Sequence, residues 1–153
     1  RSDRDWSSDV CSSDLGWGLP LAMGAKLARP GATVVAVVGD GGFGHVWSEL
    51  ETIRRHGIRL ILLVLNNGVL AMQEDMEVFR YGGRTDTRFE AVDHAAVARA
   101  CGLRGVSIHA PDALRAALRE ALAADVSTVL DVHVDPAACP PLTAYASQPG
   151  QLG

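Results

Sequence analysis

The sequence predicts an α/β domain, a parallel sheet with helices on both faces, truncated at its N-terminus. Three observations carry that prediction. Short apolar runs rich in Val, Ile and Leu recur at residues 33–38, 60–65, 105–108 and 127–134. Stretches of helical length separate them. The two most unusual polar clusters, at residues 39–44 and 66–68, follow directly on the first two runs. Strands alternating with helices make βαβ units and hence a parallel sheet. In such sheets ligands bind beyond the carboxyl ends of the strands, where the winding reverses.

The elements follow in order. Residues 19–29 form a short helix, opened by Pro20 in its first turn and stopped by Pro30-Gly31. Residues 33–38 are a continuous β-branched run, expected to be buried on both faces. Residues 39–44 make a glycine-rich turn. An amphipathic helix spans 45–56, with Val46, Leu50 and Ile53 facing one way and Glu51 paired with Arg55 at i, i+4. Arg54, Arg55 and His56 suit its C-terminal dipole end, and Gly57 closes it.

Residues 60–65 are a second buried strand, ended by Asn66-Asn67-Gly68. A short helix is expected at 70–77. Residues 81–90 are polar, with two glycines, and read as a mobile loop. Asp93 caps a helix to about Ala100, and Asp112 caps another through Ala123. Strands are expected at 105–108 and 127–134. The tail from Asp135 is rich in Pro, Ala and Ser and should be extended.

Residues 1–15 look foreign to the rest. The Ser-Ser-Asp triplet occurs twice there and apolar periodicity is missing. The expected organisation is therefore an extraneous or disordered segment at 1–15, a folded domain at 16–136 and an extended tail at 137–153.

Composition narrows the function. A net charge of −4 and the lack of any basic run argue against nucleic acid, whose phosphates attract clustered Lys and Arg. The longest apolar runs are too short to span a membrane. Three cysteines, Cys11, Cys101 and Cys139, have no metal or disulfide spacing and fit a reducing cytoplasm. The histidines (His45, His56, His94, His109, His133) are scattered and read as surface or packing residues.

The cluster Gly39-Asp40-Gly41-Gly42-Phe43-Gly44 matches the letters of the G-x-G-x-x-G dinucleotide fingerprint. Two physical objections stand against that reading. Asp40 would set a carboxylate beside a pyrophosphate, which is repulsive unless a cation lies between them. The next strand should end in an acidic residue for a ribose hydroxyl, and it ends in Asn66-Asn67. Both objections vanish for a Mg²⁺–diphosphate. Mg²⁺ favours one or two protein oxygen ligands together with phosphate oxygens. Asp40 offers an anionic oxygen and Asn67 an amide oxygen. The backbone N–H groups of Gly41 and Gly42 can face the diphosphate.

Gly39-Asp40-Gly41, then 24 residues, then Asn66-Asn67 resembles the signature of thiamine diphosphate (ThDP) enzymes. The intervening Glu49-Leu50 and the entry Leu15-Gly16-Trp17-Gly18-Leu19-Pro20 also resemble that family, and the likeness extends to about Pro141. The resemblance implies the ThDP-binding fold, with ThDP and Mg²⁺ as cofactors. It makes Asp40, Asn67 and the carbonyl of Val69 the metal ligands, with Gly39, Gly41 and Gly42 at the diphosphate. Leu15 falls where the family supports the bent cofactor. Leu70 and Met72 fall where it lines the thiazolium and substrate pocket, although Met72 is equally compatible with core packing.

Asn66-Asn67-Gly68-Val69-Leu70-Ala71-Met72 is most similar to the acetolactate synthase and 2-oxo acid decarboxylase group. That likeness implies a transferase or lyase that decarboxylates a 2-oxo acid, then ligates or protonates the product. Met76 stands where acetohydroxyacid synthases resemble one another in a Trp. Benzoylformate-decarboxylase-like, oxalyl-CoA-decarboxylase-like and sulfoacetaldehyde-acetyltransferase-like chemistries therefore stay open. The family's ring-activating glutamate belongs to a separate pyrimidine-binding domain, usually of a second subunit. The chain is accordingly expected to be a fragment with no catalytic residue of its own, from a homodimeric or homotetrameric parent. A NAD-type dinucleotide-binding module and a non-catalytic α/β scaffold remain the alternatives.

Overall fold

The computed structural model describes residues 15–138; the segment expected to be extraneous and the expected tail lie almost wholly outside them. Ten elements follow one another: α1 (Gly18–Ala28), β1 (Val35–Gly39), α2 (Asp40–Gly44), α3 (Glu49–His56), β2 (Ile61–Asn66), α4 (Ala71–Tyr81), α5 (His94–Ala100), β3 (Arg104–Ile108), α6 (Pro111–Ala123) and β4 (Thr128–His133). The four strands form one sheet in the order β1-β2-β4-β3, and every pair is parallel.

Alternation along β2 builds two cores. Leu62 and Val64 face α1, α2, α3 and α5, where Leu19, Phe43, Leu50, Ile53 and Ala98 complete the larger cluster. Ile61 faces the other side, where α6 contributes Ala117 and Ala121 against Ile108, Leu130 and Val132. The chain thus runs from β1 to β2 to β3 over one face and returns to β4 over the other. Among the described strands the winding reverses after β3, as the chain steps back to insert β4. The polar clusters lie one strand pair away from that reversal, at the carboxyl ends of β1 and β2.

Several expectations need correcting. β1 is an edge strand with one bare face: Val37 is 60% exposed and Val35 is exposed beside it. The reason is cover, because α6 packs on β3 and β4 and does not reach β1. Residues 39–44 are not an open turn; residues 40–44 wind into α2, with Gly39 as N-cap in extended conformation. α3 starts at Glu49, after a turn at 45–48 that still places Val46 against the larger core. Asp112 does not cap α6. Ala110 holds that place, Pro111 fills the first turn, and Asp112 contributes only its charge near the helix N-terminus. α4 runs on to Tyr81, four residues past its expected end.

Other local readings hold. Glu51 and Arg55 pair at 2.9 Å. Gly57 ends α3 in the left-handed conformation. Asp93 caps α5 by accepting from the Ala96 N–H at 2.7 Å.

Candidate functional site

Register places the site. Gly39 lies opposite Leu65, so the chain leaves β1 and β2 at the same level, at Asp40 and Asn66. A cavity of about 440 Å³ opens there, within the range usual for small-molecule sites. Its wall includes Leu15, Asp40, Gly41, Asn66, Leu70 and Phe89.

Asp40 is 6% exposed. One carboxylate oxygen accepts from its neighbour Gly41 N–H at 2.9 Å, and the other from Gly68 N–H at 2.7 Å, across 28 residues. Among the described residues Asp40 makes no ion pair. A buried carboxylate held only by two neutral N–H groups still has lone pairs free and an uncompensated charge. A cation would answer both.

The two asparagines divide their work. Asn66 turns inward, and its amide donates to the Val92 carbonyl at 3.1 Å and to the fully buried Asp131 at 3.0 Å. Asn67 shapes the turn, its side-chain oxygen accepting from Val69 N–H at 3.1 Å. Gly68, between them and Leu70, sits at φ 68°, a conformation that favours glycine. Val69 is buried, and its backbone forms an isolated antiparallel bridge with Arg88.

Gly41 is closely covered. A Cβ there would lie 2.7 Å from Leu70 Cδ2 and 3.1 Å from the Phe89 ring. Gly42 has ordinary room, with Gly16 N at 3.6 Å from the same hypothetical atom, and Gly39 faces open space. The sequence suggested that Gly41 N–H faces a phosphate; here Asp40 accepts it instead. Leu15 and Met72 are both exposed, and only Leu15 borders the cavity.

The described residues bring no three His, Cys, Asp or Glu side chains together as a metal cage. What the described residues join instead is the Asp40 carboxylate and, through Gly68 N–H, the turn that carries the Asn67 amide oxygen and the Val69 carbonyl, although neither Asn67 nor Val69 lines the cavity. That hard oxygen set suits Mg²⁺ when a ligand's phosphate oxygens complete it. The residues present therefore fit a Mg²⁺–diphosphate.

Sequence reasoning missed three features. Asp131 was seen only as part of a strand, yet it accepts from Asn66 and from His94 N–H at 2.9 Å, locking the cavity's base. Its lone charge inside an apolar run was the available signal. His94 packs with Phe43 and Trp47 at ring-centroid distances of 5.4 and 5.7 Å. Burial pushes its imidazole pKa down, against the pull of Asp131, Asp40 and Asp93. The loop expected to be mobile is tied down: Leu70 N–H donates to the Thr87 carbonyl and Phe89 N–H to the Gly68 carbonyl.

A second cleft, of about 420 Å³, lies at the other end of the sheet beside Lys26 and Arg59. Those cations already donate to the carbonyls of Ala32, Leu122 and Ala124, which leaves the chemistry to the first cavity.

Comparison with known proteins shows the family of the chain. Residues 1–132 match the family model described as thiamine pyrophosphate enzyme, C-terminal TPP binding domain. The acetolactate synthase large subunit of Haemophilus influenzae is 35% identical over 135 residues, covering 86% of this chain and 24% of that protein. The acetolactate synthase of Bacillus subtilis is 35% identical over 121 residues, 79% of this chain and 21% of its own length. Among solved structures, the thiamine diphosphate-dependent 4-hydroxybenzoylformate decarboxylase of Rhodococcus jostii superposes with a TM-score of 0.75 at 30% identity, over 79% of this chain and 23% of that one. The chain thus spans between a fifth and a quarter of the length of these relatives.

Proposed function

The chain belongs to the thiamine pyrophosphate enzymes as their C-terminal TPP-binding domain, and from that premise we propose that it holds ThDP through a Mg²⁺ ion bound by Asp40, Asn67 and the carbonyl of Val69. The observation that carries this reading is the buried, unpaired carboxylate of Asp40, hydrogen-bonded to the Asn67–Val69 turn through Gly68. When bound, ThDP supplies a nucleophilic carbon and an electron sink for decarboxylating a 2-oxo acid. The protein's own part is to bind and orient. Asp40 would offset part of the ion's charge, the diphosphate supplying the rest, and would fix where the ion sits. Gly42 leaves room for the ligand's phosphates, and Gly41, lacking a side chain, lets Leu70 and Phe89 close over the site. Leu70 and Phe89 exclude water from the mouth of the cavity, and Leu15 offers an apolar surface beside it. Gly39 ends β1 without a side chain in the way, while Met72, exposed on α4, stands outside the cavity wall and takes no part in this reading.

The whole enzyme we propose is a cytoplasmic acetolactate synthase-like transferase or decarboxylase-like lyase acting on a small 2-oxo acid. A pyrimidine-binding domain, from a second subunit of a homodimer or homotetramer, would complete the cofactor cleft. Asn66 argues against the dinucleotide alternative: its amide is committed to Val92 and Asp131, so the end of β2 has no acidic acceptor for a ribose.

Calorimetric titration of the chain tests the reading. ThDP should bind with Mg²⁺ and be lost with EDTA. A response to NADH that needs no divalent ion, together with none to ThDP–Mg²⁺, would overturn it.

A further inference from the structure

We propose that the Glu74–Arg88 ion pair positions the metal-binding turn, by strapping the 84–89 segment onto α4 and thereby holding residues 67–69 against Asp40. The inference rests on the reading of Asp40, Asn67 and Val69 given above.

The chain of contacts is continuous. Glu74 stands in the first turn of α4 and is 7% exposed. Arg88 meets it with a two-pronged fork, Nε at 3.0 Å from one carboxylate oxygen and a terminal nitrogen at 2.9 Å from the other. Thr87 donates its hydroxyl at 3.2 Å, and Arg84 adds a second cation at 3.5 Å. Such a bidentate pair fixes orientation as well as distance. The backbone of Arg88 is bridged to Val69. On either side of that bridge Leu70 N–H donates to the Thr87 carbonyl at 2.9 Å, and Phe89 N–H to the Gly68 carbonyl at 2.8 Å. Gly68 is therefore gripped from both ends, its N–H by Asp40 and its carbonyl by the strap.

The strap also determines what covers the site. Leu70 and Phe89, the residues flanking its backbone bonds, are the two that crowd Gly41. The Arg88 guanidinium first, with Arg84 and Thr87 adding to it against desolvation, holds the Glu74 carboxyl below its ordinary range. The pair stays ionised through neutral pH. A carboxylate this enclosed is expensive to bury, and a hydrophobic residue would serve mere packing as well. Its partners all lie on the segment that pairs with the metal turn, which is the arrangement a positioning group requires.

The test uses the full chain, with Mn²⁺ as a paramagnetic probe for the metal in the presence of ThDP. Bound Mn²⁺ is read by electron paramagnetic resonance, and stability by thermal melting without metal. Arg88→Ala should weaken ThDP-dependent Mn²⁺ binding about tenfold, a coupling of ordinary size for two linked sites. Arg88→Lys should recover part of it, and the exchanged pair Glu74→Arg with Arg88→Glu, made together with Arg84→Ala to remove the second cation, most of it. Amide exchange at Leu70 and Phe89 should rise in Arg88→Ala and fall again in the exchanged pair. Mn²⁺ affinity in Arg88→Ala within about twofold of the parent chain would overturn the proposal, whatever the amides do. So would a loss that neither rescue variant restores, which would mark a general folding defect. A parent chain that binds no Mn²⁺ with ThDP overturns the functional reading itself, and this inference with it.

Discussion

Asp40 and Gly68 are joined by a 2.7 Å hydrogen bond that ties the end of β1 to the turn after β2. The bond is charge-assisted and largely screened from water, so it is stronger than a surface contact of the same length. It makes the two strand ends one unit before any ligand arrives.

Asp40→Asn should keep the volume of the site and remove its charge. ThDP-dependent Mg²⁺ affinity is then expected to fall by at least about tenfold, or ~1.4 kcal/mol. Calorimetry on the purified variant measures it, and unchanged affinity would remove Asp40 from the metal site.

Gly41→Ala puts a methyl group where Leu70 and Phe89 already stand. Both are side chains and can shift, so the fold survives at an overpacking cost of about 1–3 kcal/mol. The shifted ring narrows the cavity. Weaker ThDP binding with a modest drop in melting temperature is expected; a variant that binds as tightly as the parent contradicts this crowding.

The two asparagines should separate in their effects. Asn66→Ala strips a donor from buried Asp131 and is expected to cost about 1–3 kcal/mol in urea unfolding. Asn67→Ala removes a local, part-buried turn bond and should act mainly on Mg²⁺ affinity. Equal effects of both variants on both measurements would refute the division of roles.

His94 gives the fold a pH dependence of definite sign. Burial lowers its pKa in the folded state below the ordinary value of about 6.5. Its contribution to stability is therefore complete above that ordinary value. It is lost as pH falls towards the depressed folded value. His94→Phe can keep the edge-on and tilted ring contacts with Phe43 and Trp47 while abolishing the titration. The stability difference should shift in favour of the variant between pH 7.5 and 5.5 in parallel melts, and a constant difference would exclude His94 as the cause.

Much of this arrangement could be read from residue order alone. Asp40 and Asn66-Asn67 stand out because each is a polar break after an apolar run, and the following glycines mark where the backbone must turn. Glu51, Gly57 and Asp93 act through neighbours within four residues, which is why they were legible. The rest depends on distance in sequence. Glu74 meets Arg88 after 14 residues and Asn66 meets Asp131 after 65, and no local pattern encodes either meeting. The bare face of β1 escaped for a related reason. A β-branched run reports strand propensity, whereas cover depends on where α6 comes to rest.

The unequal covers of the sheet bear on how the domain opens. α6 rests on its face through two alanines, flanked by the half-buried Leu114 and Leu118. The opposite face carries Phe43, Leu19, Leu50 and Ile53, all essentially sealed from water. Local opening follows the thinner contact. α6 should therefore lift away from β3 and β4 in excursions that leave Asp40 and its turn intact. Its amides would exchange in a faster class than those of β2, and a protease would nick the chain near residues 110–124 while the cofactor cavity still held its shape.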